Sequence, residues 1–257
     1  NTYKVLVNKY EVYSNTVTTE TPKPPRPVKA VLDRSGKDIN GATTFDRNVT
    51  FRLMTDYSPY TKTLASAQAL GKKFGILDDV QDGAFSVYQG NIKMTAAGQD
   101  VKNLFDMYHV LSDKGRTDAI KNILKELNLN PKGEFYFWVA KDSKSFYQNY
   151  VKKNKNVTID LPAKILVKAG EKVENNFKQI DFGNSYQSNL VTVEVPDVKP
   201  EKHVLDRTGK KVLDGKEVQL GDFVQYLLDG VTVPEKHDTL YQYDGVDKLD
   251  TKHDRYT

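Results

Sequence analysis

Lys29 and Asn189 are the two residues whose types and spacing point most directly to chemistry. Lys29 opens the stretch KAVLDRSGK, which returns as KHVLDRTGK from Lys202. Asn189 belongs to a Ser-Asn pair whose counterpart is Ser14-Asn15, at nearly the same offset along the chain. The repeating unit therefore begins at a lysine and ends at an asparagine. Because the offset exceeds half the length of the chain, the unit is a whole domain.

An amine and a carboxamide at the ends of one domain can form an amide bond if the first and last strands lie side by side. Burial of an unpaired ammonium is costly, so the lysine pKa falls and a neutral amine becomes available as a nucleophile. A carboxylic acid beside the pair can carry protons as ammonia leaves. Asp56, which ends the apolar segment 51–55, is the predicted acid, and Asp229 is its counterpart. The competing interpretation is that Lys29 and Asn189 are solvated linker residues.

Other chemical motifs are scarce in the sequence. The chain has no cysteine, which excludes disulfides and thiolate metal ligands. Asp78 and Asp79, followed by Asp82, resemble the start of a calcium loop, although Val80 stands where a ligand is needed and a solvated turn is the alternative. Paired carboxylates of a carbohydrate-active enzyme could come from four residues: Asp78, Asp79, Asp106 and Asp113. His109, on an apolar stretch, is expected to be structural.

Charge and hydropathy narrow the class of protein. The chain has 257 residues, with 38 basic and 34 acidic side chains interspersed along it, and this balance does not favour nucleic acid as a partner. Its apolar runs fall far short of the roughly 20 residues of a membrane span. No signal peptide opens the sequence and no anchor closes it. We expect a soluble monomer, either a piece of a longer protein or a complete cytosolic protein. The first residues resemble a strand already under way, which favours a cut fragment.

Alternating and helical patterns predict the elements. Strands are predicted at 49–55, 84–88, 134–140, 157–161, 165–168 and 186–195. Helices are predicted from Asp100 to Leu111, from Thr117 to Leu127, over 144–153 and, more weakly, over 62–73. This order predicts a mainly β chain, a sandwich that carries short inserted helices.

The repeat and the composition divide the chain. Residues 1–20 are predicted to be the last hairpin of one domain and 21–27, TPKPPRP, a stiff Pro-rich linker. Residues 28–196 form a complete domain, and 197–257 begin the next. Asn15 and Lys202 are then residues of the neighbouring domains.

Several motifs in order resemble the C-terminal region of the antigen I/II family of streptococcal cell-wall adhesins. They are QIDFGN at 179–184 followed by YQSNLV at 186–191, the DING turn at 38–41 after Lys29-Ala30-Val31, and Pro131-Lys132-Gly133 before an aromatic strand. The resemblance covers nearly the whole chain. It implies tandem immunoglobulin-like sandwiches, each stapled by an isopeptide bond. Carried over by position, the bond joins Lys29 to Asn189 with Asp56 as catalyst, while Asn15, Lys202 and Asp229 belong to the neighbouring bonds.

The resemblance also implies a function. Family members adhere to other bacteria through a helix and loop that align with 120–124 and 128–132, which makes five residues binding candidates: Ile120, Ile123, Leu124, Asn128 and Lys132. The alternative is that the apolar three face the core. No cofactor is expected to be required, although family C-domains can hold a structural calcium ion.

We therefore expect a non-enzymatic fragment of an adhesin anchored in a Gram-positive cell wall, which binds host salivary or matrix glycoproteins and other microbes. A purely structural spacer and, at greater distance, a carbohydrate-active sandwich are the alternatives.

Overall fold

The protein is described by a computed structural model that covers residues 1–256; Thr257, the last residue of the predicted third domain, lies outside the described residues. Strands dominate. The first strands are β1 (Lys4–Val7), β2 (Tyr10–Tyr13), β3 (Val28–Leu32), β4 (Ala42–Thr43), β5 (Asn48–Met54), β6 (Gly75–Asp79), β7 (Phe85–Val87), β8 (Lys93–Ala96) and β9 (Gln99–Asp100). They are followed by β10 (Phe105–Val110), β11 (Phe135–Ala140), β12 (Val157–Ile165), β13 (Lys172–Asn175), β14 (Lys178–Asp181), β15 (Asn184–Gln187), β16 (Val191–Glu194), β17 (Glu201–Leu205) and β18 (Gln225–Asp229).

Three short helices interrupt the strands. They are α1 (Ala67–Leu70), α2 (Asp118–Glu126) and α3 (Ser143–Phe146), the last continuing as one π-helical turn, Tyr147–Val151. Thr117 begins α2 because its side chain accepts a hydrogen bond from the Ile120 amide, as the sequence predicts. Asp142 caps α3 through the Ser145 amide in the same way.

The central part of the chain is a β-sandwich. One sheet has the order β10-β11-β6-β14-β15, and the other has the order β3-β5-β12-β8-β9, with β7 also paired to β12. A third sheet, β13-β16-β4, closes one side. Buried and partly exposed residues alternate along β5 and β12, so one face of each strand points into the core. The main core contains residues from both large sheets, such as Phe51, Ile159 and Trp138.

Strand β11 is buried along its whole length because α2 covers its second face. A separate cluster forms there from Leu77, Phe135 and Phe137 on the sheet and Ile120 and Leu124 on the helix. The two faces of β6 are therefore both covered: Ile76 packs in the main core, whereas Leu77 packs under α2.

The helix predicted from Asp100 to Leu111 is wrong. A 3-10 turn occupies Lys102–Leu104, and β10 then pairs antiparallel with β11 from Phe105 opposite Ala140 to Val110 opposite Phe135. The apolar spacing fits either structure over so short a stretch, and the hydrogen bonds offered by the edge of β11 decide between them.

The N-terminal hairpin, β1-β2, repeats the β14-β15 hairpin of the central sandwich. The offset that places Asn15 on Asn189 also places β1 on β14 and β2 on β15, residue for residue. Both turns hold two residues with positive φ, Asn8 and Lys9 in the first and Phe182 and Gly183 in the second. The internal repeat of the sequence is thus also a repeat of backbone conformation.

Candidate functional site

Lys29 lies in the interior of the sandwich. It occupies β3 on the same face as Val31, which belongs to the main core. Its side chain has no exposed surface, and its Nζ lies 2.7 Å from Asp78 Oδ1 and 3.3 Å from the carbonyl oxygen of Asn176. The ring centroid of Phe51 is 5.5 Å from the same nitrogen. A lysine is held in the core only where a partner compensates for lost hydration, and Asp78 is that partner.

Asp78 and Asn175 complete a buried cluster. Asp78 shares a face of β6 with Ile76 and is fully buried. Its Oδ2 lies 3.5 Å from the Nδ2 of Asn175, the last residue of β13, which is 3% exposed. The Oδ1 of Asn175 has no hydrogen-bond partner among the described residues. An amine, a carboxyl group and a carboxamide therefore meet in the core of the sandwich.

Burial shifts the proton equilibria of this cluster. Desolvation lowers the pKa of Lys29 to about 8, although the Asp78 carboxylate opposes the shift. Desolvation also raises the pKa of Asp78, against the attraction of Lys29 and the hydrogen bond from Asn175. Both shifts bring the neutral pair, an amine beside a carboxylic acid, closer in free energy to the ion pair. A neutral amine is a nucleophile and a carboxylic acid is a proton donor.

The structure does not bring together the partners predicted for Lys29. The Asn189 carboxamide contacts the main chain of Lys29: Oδ1 accepts from the Lys29 N–H at 2.8 Å, and Nδ2 donates to the Lys29 carbonyl oxygen at 2.8 Å. The Nζ of Lys29 points the other way, into the core. The Lys29 to Asn189 pairing is therefore replaced by a cluster of Lys29, Asp78 and Asn175.

Asp56 also differs from its predicted role. Its carboxylate accepts hydrogen bonds from the amide of Arg26, near the end of the linker, and from the amide and hydroxyl of Ser58. It caps a turn after β5, whereas the acid at Lys29 Nζ is Asp78, which comes from the opposite sheet. Strand β5 pairs with β3 and so lies beside the lysine strand, but Asp56 falls beyond the last paired residue, Met54 opposite Val28.

The internal repeat also marks Asn175, although Asn175 lies outside the two repeated motifs that begin at Lys29 and at Ser188. Asn1 stands as far before β1 as Asn175 stands before β14, so the two asparagines correspond under the repeat. An asparagine thus precedes both copies of the hairpin. The signal for Asp78 is weaker, because its strand carries two adjacent aspartates and only the pleat decides which of them faces the core.

A related pair occurs in the C-terminal segment. Lys202, the counterpart of Lys29, lies with its Nζ 2.8 Å from Asp247 Oδ1 and 4.4 Å from the ring centroid of Tyr226. Tyr226 pairs opposite Val204 as Phe51 pairs opposite Val31.

Asp229, predicted as the acid, lies at the end of β18 opposite Glu201 and is exposed. In the N-terminal segment, Asn15 is exposed and its carbonyl oxygen accepts from Ser14 Oγ.

Asp78 and Asp79 do not share a cation. Successive strand residues point to opposite faces, so Asp78 enters the core while Asp79 accepts a hydrogen bond from the Lys132 amide at 3.1 Å. Within residues 1–256, no group of three or more His, Asp or Glu side chains is arranged to hold a metal ion. The structure therefore does not bring Asp78 and Asp79 together as ligands of one cation.

The carboxylates considered for a carbohydrate-active enzyme are engaged separately. Asp78 binds Lys29 and Asp79 caps the 132 amide, while Asp113 binds Arg116 and the Gly133 amide. Asp106 is exposed on β10. Each of the three engaged carboxylates is neutralised or capped by the protein itself, which is the environment of a structural acid.

The predicted binding face is partly inside the protein. Ile120 and Leu124 are 1% and 4% exposed and pack on β11, so these two side chains face the core and are not presented to a partner. Ile123 is half-buried against the same cluster. Asn128, with φ of 51°, and Lys132 are exposed. The polar side of α2 and the loop after it are what this face presents to solvent.

Asp181 is a second buried carboxyl group that the sequence does not reveal. It is fully buried at the end of β14; its Oδ2 accepts from Gln179 Nε2, and its Oδ1 has no partner among the described residues. Desolvation raises the pKa of Asp181 to about 7, with a smaller contribution from Asp56. Gln179 in turn binds the main chain of Asp56 through both ends of its carboxamide.

Two carboxylates join the central sandwich to the C-terminal segment. Asp238, which is 1% exposed, accepts from the Thr44 hydroxyl and from the amides of Phe45 and Asp46. In the opposite direction, Asp33 accepts from the amide and hydroxyl of Thr239. We call these two carboxylates and their donors the reciprocal clamp.

None of the helices between residues 1 and 256 has the length and apolar run needed to traverse a bilayer.

Comparisons with known proteins agree on one family. Residues 27–195 match the family described as the cell surface antigen I/II C2 terminal domain, and residues 199–257 match the cell surface antigen C-terminus. The whole chain is 27% identical to an aggregation substance of Enterococcus faecalis, of which it spans 18%.

Solved structures of antigen I/II C-terminal domains match most of the chain. The C-terminal domain of the Streptococcus pyogenes antigen I/II-family protein AspA matches with a TM-score of 0.72 and 32% identity, over 84% of this chain and 65% of that one. The C-terminal domain of the Streptococcus agalactiae polypeptide BspA matches with a TM-score of 0.68 and 32% identity, over 83% and 63%. The chain thus spans less than two thirds of the length of each of these three relatives. It belongs to the antigen I/II family of cell-surface adhesins, within the C-terminal domains of that family.

Proposed function

We propose that this chain is part of the stalk of a cell-surface adhesin and that its central sandwich is stapled by an intramolecular amide between Lys29 and Asn175. The observation that supports the staple is the buried cluster of the Lys29 amine, the Asp78 carboxyl group and the Asn175 carboxamide. A lysine and an aspartate kept in a core have a stability cost that a cross-link would offset.

The reaction needs only groups that the cluster supplies. Asp78 takes the proton from the Lys29 ammonium, and the neutral Nζ attacks Cγ of Asn175. The new bond is Nζ–Cγ and the bond that breaks is Cγ–Nδ2. Asp78 donates its proton to Nδ2, which leaves as ammonia, and takes the surplus proton of the attacking Nζ. It passes this second proton to the departing ammonia, which leaves the site as ammonium. Asp78 thus acts as base and then acid, and ends the reaction unchanged.

The cluster suits this chemistry electrostatically. The raised pKa of Asp78 keeps the acid form accessible, and the lowered pKa of Lys29 does the same for the amine. Asp78 Oδ2 accepts from Nδ2 of Asn175, so the protonated carboxyl group would lie beside the nitrogen that must leave. Low dielectric strengthens both effects.

Intact-mass measurement tests the staple. The amide removes one ammonia, about 17 Da, from the mass calculated for the sequence. Lys29→Ala, Asp78→Ala and Asn175→Ala should each have the unmodified mass, whereas Asn122→Ala on the exposed side of α2 should keep the loss. A protease digest then assigns the acceptor: a branched peptide that contains Lys29 and Asn175 supports the proposal, and one that contains Asn189 contradicts it.

The adhesive role rests on membership of the adhesin family. We propose attachment to a Gram-positive cell wall in the complete protein, with host salivary or matrix glycoproteins or other microbial surfaces as partners. The exposed residues of α2 and its loop, Lys121, Lys125, Asn128 and Lys132, form the surface to test. Binding to immobilised salivary glycoprotein and to partner cells that falls when these four become alanine supports a direct role. Binding by neither the natural chain nor the variant indicates that this segment only spaces the distal domains.

A further inference from the structure

Asn189 holds the main chain of the lysine strand from the side opposite to β5. Strand β3 lies at the end of its sheet, so the Lys29 N–H and C=O on the open side have no neighbouring strand of that sheet. The Asn189 carboxamide supplies one acceptor and one donor, each at 2.8 Å. It satisfies both groups as a residue of a paired strand would.

Asn189 is itself fixed, through its neighbour Ser188, to the segment between Asn175 and β14. Ser188 N–H donates to the Phe177 carbonyl oxygen at 2.9 Å, and Phe177 N–H donates to Ser188 Oγ at 3.0 Å. Ser188 Oγ donates in turn to the Asn189 carbonyl oxygen at 2.9 Å. Phe177 follows Asn175 by two residues, and the carbonyl oxygen of the intervening Asn176 accepts from Lys29 Nζ. A short path of hydrogen bonds therefore links the main chain of Lys29, through Asn189 and Ser188, to the main chain just after Asn175.

The same anchor exists in the N-terminal hairpin. Ser14 N–H donates to the Tyr3 carbonyl oxygen at 2.8 Å, Tyr3 N–H donates to Ser14 Oγ at 2.9 Å, and Ser14 Oγ donates to the Asn15 carbonyl oxygen at 2.9 Å. No strand equivalent to β3 lies against Asn15 in the described structure. The anchor is thus a property of the hairpin, present there without a lysine strand beside it.

We propose that Asn189 is a positioning residue for amide formation, which sets the register of Lys29 against Asn175. The inference rests on the proposed function, the Lys29 to Asn175 staple. One residue of slip in β3 would send the Lys29 side chain out of the core, because side chains alternate along a strand. Asn189 makes both of its hydrogen bonds to the main chain of Lys29 itself. It therefore favours the register of β3 in which Lys29 Nζ reaches Asp78.

The rate of cross-linking in newly made protein tests the inference. The chain is synthesised in a cell-free system, and intact mass is recorded at timed intervals to follow the loss of about 17 Da. The folded fraction is followed in parallel by the fluorescence of Trp138, which is buried in the main core. Asn189→Ala should cross-link on the order of tenfold more slowly than the natural chain at equal folded fraction, since a misplaced reactant loses effective concentration.

Two further variants sharpen the comparison. Asn189→Asp keeps an acceptor for the Lys29 N–H but loses the donor to the Lys29 carbonyl oxygen, so its rate should be intermediate. Asn184→Ala, an exposed asparagine of the same hairpin, should cross-link at the natural rate. Asn189 is also exposed, so its replacement should leave the fold intact.

The outcomes separate the two claims. An unmodified natural chain overturns the staple and the positioning role together. A modified natural chain whose Asn189 variants react at the natural rate overturns the positioning role alone. Slower reaction that follows a lowered folded fraction in proportion shows a merely structural role, and also overturns it. The same pair of chains compared in the Lys29→Ala background gives the effect of Asn189 on stability without the bond.

Discussion

The Nζ of Lys29 and the Oδ1 of Asp78 lie 2.7 Å apart, and neither side chain has any exposed surface. The two residues come from opposite sheets of the sandwich, 49 residues apart in the chain. A buried ion pair contributes little net stability by itself, but the loss of one partner leaves a buried charge uncompensated. Because of this asymmetry, variants of Lys29, Asp78 and Asn175 should differ in stability.

Asp78→Ala should be less stable than Asn175→Ala. Both variants lose the proposed cross-link, which closes a loop of about 146 residues and is worth on the order of 5 kcal/mol in the chain-entropy model. Asp78→Ala also leaves the Lys29 ammonium unpaired, at a cost of roughly 3–5 kcal/mol. At about 2–4 °C per kcal/mol for a domain of this size, Asn175→Ala should melt roughly 10–20 °C below the natural chain, and Asp78→Ala lower still.

Differential scanning calorimetry measures this order. Asn122→Ala serves as the surface control and should melt with the natural chain. Equal melting temperatures for Asn175→Ala and the natural chain would contradict a stabilising bond at this residue. A reversed order of the two variants would show that the buried charge is compensated elsewhere.

The buried Asp181 makes stability fall as the pH rises. Its pKa is raised by burial to about 7 in the folded protein, so between about pH 4 and pH 7 the folded state binds more protons than the unfolded state. The stability contributed by its neutral form is fully present below the unfolded pKa and is lost as the pH rises through the folded pKa. Asp181→Asn, which keeps an oxygen to accept from Gln179, should remove this dependence.

We expect the variant to match the natural chain at pH 4 and to exceed it by roughly 2–4 kcal/mol at pH 8. Melting temperatures at the two pH values measure the difference, with Asp106→Asn as an exposed control. A variant that gains nothing at pH 8 would show that Asp181 is solvated or paired in the folded protein.

The sequence predicts the β-sandwich and α2 because alternation and a Thr cap are local signals. It also marks Lys29 as the buried amine, because the internal repeat can be recognised by comparing the sequence with itself. It does not predict that Asp78 and Asn175 are the partners of Lys29. Which residues of two sheets meet across a core depends on strand order and register, and these are decided by pairing between distant segments. Asn189 illustrates the difference: its place in the repeat marks it as important and near Lys29, yet its contact is with the main chain.

The reciprocal clamp predicts a stiff joint between the central sandwich and the C-terminal segment. Burial opposes ionisation of Asp33, but hydrogen bonds from Ser35, Thr239 and Lys37 outweigh it and lower the pKa of Asp33. Its carboxylate is therefore charged at neutral pH and keeps its bonds to Thr239. Asp238→Ala removes the acceptor for Thr44, Phe45 and Asp46, at a cost of at least about 2 kcal/mol.

Small-angle X-ray scattering should show a more variable shape for Asp238→Ala than for the natural chain, and calorimetry should resolve a separate transition of the C-terminal segment. Asp222→Ala, an exposed aspartate of the same segment, is the matched control. Unchanged scattering and a single transition in Asp238→Ala would show that the joint is held by other contacts.

The Pro-rich linker 21–27 and the segment 196–200 before β17 should resist trypsin because each of their basic residues precedes a proline. Lys23 is followed by Pro24, Arg26 by Pro27 and Lys199 by Pro200. Trypsin does not cleave before proline, whose ring fixes φ and removes the amide hydrogen. Lys23 is exposed, so sequence and not burial protects this bond. Pro24→Ala should expose a cut after Lys23, visible by gel within minutes, whereas Pro22→Ala relaxes the same linker without creating a site. Equal cleavage of the two variants would indicate that chain stiffness, and not the Lys-Pro bond, gives the protection.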